Sequence, residues 1–260
     1  MADFIFIRKS RNAFSSFLHV LLNILLGAGS IFVTIVSSPI LGIILVLISK
    51  WRIFAVRPRY WLTNIQSSLI DFIVGISLVL AAYFAGTEFS AIHVILAVIY
   101  VIWLLFIKPM SSEIGTLIQS LFAIFLGSNI ASIALATVNP VFIILAEFVI
   151  GYSASRHILI QNQREKSTFI TLICGLVFAE ISWLCNHWMI IYNFPLNIAI
   201  SQTAVILTIL AFFFDRTYVS IEKHDGKLKA ADVLVPTIFS ILVIIIIILN
   251  FSDPRFNIHI

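Results

Sequence analysis

The stretch Thr168 to Trp188, TFITLICGLVFAEISWLCNHW, decides the class of this protein. A helix needs about 20 mostly apolar residues to cross a bilayer, and this run supplies them while carrying Glu180 within it. The spacing i, i+3, i+7 puts Glu180, Trp183 and His187 on one helical face. At about 1.5 Å of rise per residue, Glu180 lies roughly 18 Å along the helix, with His187 about 10 Å further, near an interface. An ionisable group at bilayer depth is costly, so it points to function by default.

The rest of the chain repeats the pattern. Of its 260 residues 61% are hydrophobic and only 11% charged, against about 25% charged in soluble domains. The mean hydropathy is +1.10. Apolar blocks alternate with short charged connections, which predicts an all-α fold, a polytopic bundle of transmembrane helices forming a single membrane domain over residues 1–260. The connection from Asp215 to Asp232 is expected to be a solvated helix end with a turn at Asp225-Gly226. The net charge of +4 sits in short loops, an orientation signal rather than a nucleic-acid surface. Arg8, Lys9 and Arg11 before an apolar run imitate a signal peptide, but the run is too long for one and reads as a retained anchor.

Nine apolar segments can be counted: Ala13–Val36, Pro39–Phe54, Trp61–Ala85, Phe89–Ile107, Ile114–Val138, Pro140–Ala154, Thr168–Trp188, Leu196–Phe214 and Val233–Phe251. Ala13 to Ser49 could instead be one long helix, and Ile114 to Tyr152 could divide elsewhere. With nine crossings and a cytoplasmic N-terminus, 15 of the 16 Lys and Arg fall inside, and only Arg255 falls outside. Merging the first two segments lowers that count to 12, so the positive-inside rule favours nine spans with the C-terminus outside. The second and sixth segments read as short helices, each opened by a proline, Pro39 and Pro140. That pairing hints at a four-helix repeat over 13–107 and 114–214, with a ninth helix at 233–251. Paired short helices of this kind point to transporter binding sites.

Asp71, Glu147 and Glu180 fall at membrane depth, and no Lys or Arg lies inside the uninterrupted apolar part of any segment to pair with them. An acid in low dielectric without a cation favours its neutral form. It can hydrogen-bond between helices, exchange a proton or bind a cation. Asn64, Ser67, Ser68 and Asp71 follow i, i+3, i+4, i+7 spacing, a polar stripe leading to an acid or an interhelical hydrogen-bonding face. His19, His93 and His187 read as interfacial or packed histidines. Glu180, His187 and Glu147 together could ligate a metal, but HExxH, GxSxG and P-loop motifs are absent, so neither a metal nor a cofactor is expected. Cys174 and Cys185 lie three helical turns apart, about 16 Å, too far to bond, and read as small buried hydrophobes.

The loop KWRIFAVRPRYW interleaves Lys50, Arg52, Arg57 and Arg59 with four aromatic residues. It reads as positive-inside charge beside an aromatic belt, or as a contact for anionic lipid headgroups. This loop, with FAEISWLCNHW and DRTYVSIEKH, resembles parts of an uncharacterised multi-span membrane protein family of reduced-genome bacteria. That resemblance implies a bacterial cytoplasmic membrane location and no catalytic or binding residues. The expected function is transporter-like, or that of a transporter's membrane subunit, handling protons or a small solute through Glu180, Asp71, Glu147 and His187. A non-catalytic scaffold or assembly protein is the alternative, and a lipid-modifying or proteolytic enzyme is third. The expected partners are the bilayer, a second copy or another membrane subunit, and no nucleic acid.

Overall fold

The computed structural model describes residues 2–86, 88–161, 167–188, 190–194, 198–224 and 226–249. Arg164, Lys166, Asp225, Phe251 and Arg255 lie outside the described residues, as do the side chains of Arg8, Lys9, Arg11 and Arg52. Among the described residues the chain is all-α apart from one hairpin. The helices are α1 (Ala2–Val36), α2 (Pro39–Ser49), α3 (Trp61–Phe84), α4 (Ala91–Ile107), α5 (Glu113–Ala134), α6 (Pro140–Gln161), α7 (Ser167–Asn186), α8 (Gln202–Lys223) and α9 (Ala230–Leu249). Seven of them are long and apolar enough to cross a membrane, and α2 and α4 are shorter apolar helices.

Local chemistry sets the divisions that the sequence left open. The Ser38 hydroxyl accepts from the Leu41 N–H, and Pro39 sits in the first turn, so α1 and α2 are separate helices. The second ambiguous division falls at residues 135–139, between α5 and α6. Two expectations need correction. The sixth segment is not short: α6 is 22 residues long, because Arg156 and His157 continue the helix instead of closing it. It therefore shares a proline start with the 11-residue α2 but not its length. In the eighth segment Leu196 lies outside the described residues, and the helix begins only at Gln202, since Ile198–Ser201 forms a β-strand (β2) paired antiparallel with Ile191–Phe194 (β1).

A lone two-stranded hairpin is marginal in water, and here two side chains fasten it. The Asn129 amide on α5 donates to the Ala199 carbonyl at 2.9 Å and accepts from the Ser201 N–H at 2.6 Å, taking the place of a third strand. The Tyr192 hydroxyl donates to the Ile247 carbonyl on α9 at 3.2 Å. Asn129→Ala leaves both backbone groups unpaired and is expected to cost about 2 kcal/mol. Thermal unfolding and amide exchange should register that loss, with faster exchange at 198–201. Unchanged exchange there would mean that Asn129 is not the fastener.

The core is centred on α3, which touches α1, α2, α4, α5 and α6. Val74, Leu78, Val79 and Ala82 on α3 are fully buried, as is Val46 on α2. Gly42 lies against Val79, and Val46 against Gly75, so α2 runs antiparallel to α3 with small residues facing large ones. By contrast α7 is peripheral. It packs chiefly on α6 and presents Phe169, Leu172, Leu176, Trp183 and Leu184 outward. Apolar surface of that extent suits acyl chains rather than water.

Candidate functional site

The three acids sit in three different environments. Asp71 belongs to an ion cluster where α2, α3 and α4 meet. The register of α2 on α3 brings Lys50, just past the end of α2, to Asp71, and its Nζ donates to Asp71 Oδ2 at 2.7 Å. From the other side Lys108, just past α4, places its Nζ 2.7 Å from the same oxygen. The expectation that Asp71 lacks a cationic partner is therefore corrected. Both lysines stand beyond helix ends, but those ends reach Asp71, which lies ten residues, about 15 Å, inside α3. Burial alone would depress the Lys108 ammonium, but the Asp71 carboxylate holds it above the usual lysine range.

The end of α4 is shaped to deliver Lys108. Residues Trp103–Ile107 form a π turn in which the Lys108 N–H donates to the Trp103 carbonyl at 2.8 Å. Such turns are rare and recur at functional places. Gln119 on α5 then satisfies the carbonyls that this end leaves open, with Nε2 donating to Ile107 O at 2.6 Å and Met110 O at 2.9 Å. Its Oε1 lies 2.6 Å from His157 Nε2 on α6. Asp71, Lys50, Lys108, Gln119 and His157 thus link five consecutive parts of the chain. The polar stripe Asn64, Ser67, Ser68 leads toward this cluster, with Ser67 exposed and the other two half-buried.

Glu147 on α6 is fully buried. The Ser128 hydroxyl on α5 donates to its Oε2 at 2.6 Å, while Oε1 has no hydrogen-bond partner. Ser132, one turn beyond Ser128, and Ser182 on α7 are also buried with unpartnered hydroxyl oxygens. Gly151 packs against Phe178 and Gly175 against Phe148 between α6 and α7. Buried polar atoms nearly always find a partner, so these oxygens, together with the Ser240 hydroxyl on α9, are exceptions among the described residues.

Glu180 is exposed, and so are Trp183 and His187 on the same face. His187 Nδ1 lies 3.1 Å from the Trp183 carbonyl, with the two rings edge to face at 5.4 Å. Glu147 is turned to α5 and Glu180 outward, so the metal-ligating trio does not assemble. Among the described residues no group of three His, Cys, Asp or Glu could hold a metal.

The remaining named residues are structural or superficial. His93 is buried. The Ser90 N–H donates to its Nδ1 at 3.2 Å, leaving Nε2 to donate to the Ala82 and Gly86 carbonyls at 3.1 Å, which ties α3 to α4. Arg57 and Arg59 are exposed, Arg59 lying 4.5 Å over the Tyr60 ring, beside exposed Trp51 and Phe54. Lys50 faces Asp71 instead. A cavity of about 260 Å³ lies between α5, α6, α7 and α8, lined by Ile124, Gly151, Cys174 and Phe178, with Asp215 and Tyr218 among its few polar groups.

The sequence singled out the acids but not Lys108, Gln119, His157, Ser128, Ser132 or Ser182. Of these only Ser128 and Ser132 carried a local signal, an i, i+4 polar pair inside an apolar helix. The fold and its long apolar helices define an integral membrane protein of the all-α class. No family model matches the chain, and no curated protein or solved structure matches it.

Proposed function

We propose that this is a transporter-like membrane protein in which Glu147 binds a proton or a small cation. The observation that carries the reading is the fully buried Glu147 carboxyl, one oxygen held by Ser128 and the other unpartnered. A carboxyl with spare oxygen ligands at bilayer depth can take up a proton or a desolvated cation, and it has no role as a mere filler of apolar space. Asp71 supplies charge on the route from the other end of α3. In this reading the chain makes nine passes with the N-terminus in the cytoplasm and the C-terminus outside, in a bacterial cytoplasmic membrane. The pass begun by α2 is completed by residues 51–60, and Arg57 and Arg59 meet anionic headgroups.

Reconstitution tests this directly. Protein in vesicles holding a pH-sensitive dye is expected to move protons or exchange them for a cation, and Glu147→Gln, which keeps an acceptor for Ser128, is expected to fold normally and lose that flux. Exposed Glu180 serves as an internal reference for a hydrophobic carbodiimide. Labelling at Glu147 that a cation blocks is the expected signature of a site that opens. Equal flux in wild type and Glu147→Gln, or no labelling of Glu147 at any pH, would overturn the assignment. A static scaffold would then be the better reading, one that the doubly paired Asp71 favours.

A further inference from the structure

Lys50 and Lys108 bring two positive charges to Asp71 and meet one negative charge there. Each Nζ stands 2.7 Å from the same Oδ2, so the two nitrogens are no further apart than twice that distance. Asp71 is the only acid that either lysine meets among the described residues. Glu113, the next acid along the chain from Lys108, is exposed and makes no ion pair among them. The other side chains that converge here, Gln119 and His157, bring no negative charge. The cluster therefore keeps one unbalanced positive charge, and a partly buried charge without a counter-charge is costly.

The cluster is open on one side. Lys108 keeps 39% of its side chain exposed, against 14% for Lys50. Residues 61–70 of α3 extend about 15 Å from Asp71 toward the start of that helix, and Asn64, Ser67 and Ser68 on this stretch are not buried. Trp51 follows Lys50 in the chain and is exposed, as are Phe54 and Trp61. Outward tryptophans at a helix end mark the level of the lipid headgroups, so α2 and α4 end where lipid phosphates lie. An ammonium group has three N–H donors and is a common phosphate partner. Asp71 occupies one direction of each lysine and leaves the others free for a second anion.

We propose that Lys50 and Lys108, held together by Asp71, form a phosphate-binding site on the open side of the cluster. The phosphate is that of a lipid headgroup or a free phosphate ion. As a monoanion it brings the cluster to neutrality, and its oxygens accept from both ammonium groups at once. Asp71 is a positioning residue: without it the two ammonium groups repel each other and the pair of donors does not form. The site shares no residue with Glu147, so either reading can fail alone.

The test uses the full chain in a maltoside detergent, which carries no phosphate. Inorganic phosphate or added phosphatidylglycerol, at saturation, is expected to raise the melting temperature by about 5 °C. The references are chloride at equal ionic strength and a neutral galactolipid. Lys108→Gln and Lys50→Gln each leave one lysine balanced by Asp71, so both are expected to fold and to lose the rise. The double variant Arg57→Gln, Arg59→Gln is expected to keep the response to inorganic phosphate. A lysine-dependent rise with inorganic phosphate supports the site and assigns a soluble ligand. One seen only with phosphatidylglycerol supports it and assigns a headgroup. No rise with either source overturns the proposal, as does an equal rise with chloride or the galactolipid. A rise that survives both lysine variants, or that is lost with Arg57 and Arg59 alone, also overturns it by placing the anion elsewhere.

Discussion

Replacing Asp71 by leucine is expected to destabilise the protein by about 3 kcal/mol. Two ammonium groups converge on one carboxylate oxygen, each at 2.7 Å, and without it they face each other with no counter-charge. Breaking a buried ion pair by removing one partner typically costs about 3–5 kcal/mol. The lower end applies because Lys108 keeps 39% of its side chain exposed, so solvent screens part of the repulsion. Thermal unfolding in detergent, read by loss of the monodisperse peak, measures the change. The triple variant Asp71→Leu, Lys50→Leu, Lys108→Leu is expected to recover most of it, because an apolar replacement of the whole cluster leaves no unpaired charge. If Asp71→Leu alone unfolds at the wild-type temperature, the cluster is not what joins α2 and α4 to α3. The same variant separates roles, since a loss of flux in a stable triple variant would mean that Asp71 does more than hold helices together.

Gly42→Val is expected to be comparably severe, about 3 kcal/mol or complete loss of folded protein, from overpacking in a site that cannot yield. A Cβ at Gly42 would overlap Thr34 Oγ1, come within 2.8 Å of a Val79 methyl and stand 3.0 Å from the Ser30 carbonyl oxygen. None of these neighbours is free to move. Val79 is fully buried, and the Thr34 hydroxyl donates to the Ser30 carbonyl at 2.7 Å. Gly29 on α1 provides the control: a Cβ there meets nothing within 4 Å. Gly29→Ala should therefore be neutral or gain up to about 1 kcal/mol from helix propensity. Equal melting temperatures for Gly42→Val and Gly29→Ala would show that α1, α2 and α3 do not pack as described.

What could be read in advance followed from periodicity and solvent. Long apolar runs such as Thr168 to Trp188 are helices wherever they sit, because backbone polar groups in lipid must bond within their own segment. The proline and serine at 38–39 mark a helix start by local chemistry alone. The acids were legible as exceptions to composition, and the shared face of Glu180, Trp183 and His187 followed from 3.6 residues per turn. The hairpin at 191–201 was not legible, because its apolar residues looked like the start of a helix and its stability comes from Asn129, some seventy residues earlier.

The sequence by itself therefore determined the membrane class, most helix positions and the identity of the three acids. Only the tertiary structure decided that Asp71 is paired, Glu147 sealed and Glu180 turned outward. The reason is physical. Helical periodicity specifies which residues share a face, but which face meets a neighbour depends on packing between helices distant in the chain. Lys50 and Lys108 reach one carboxylate because two short helices end at the same level, and that level is set by Gly42 against Val79 and by the π turn before Lys108.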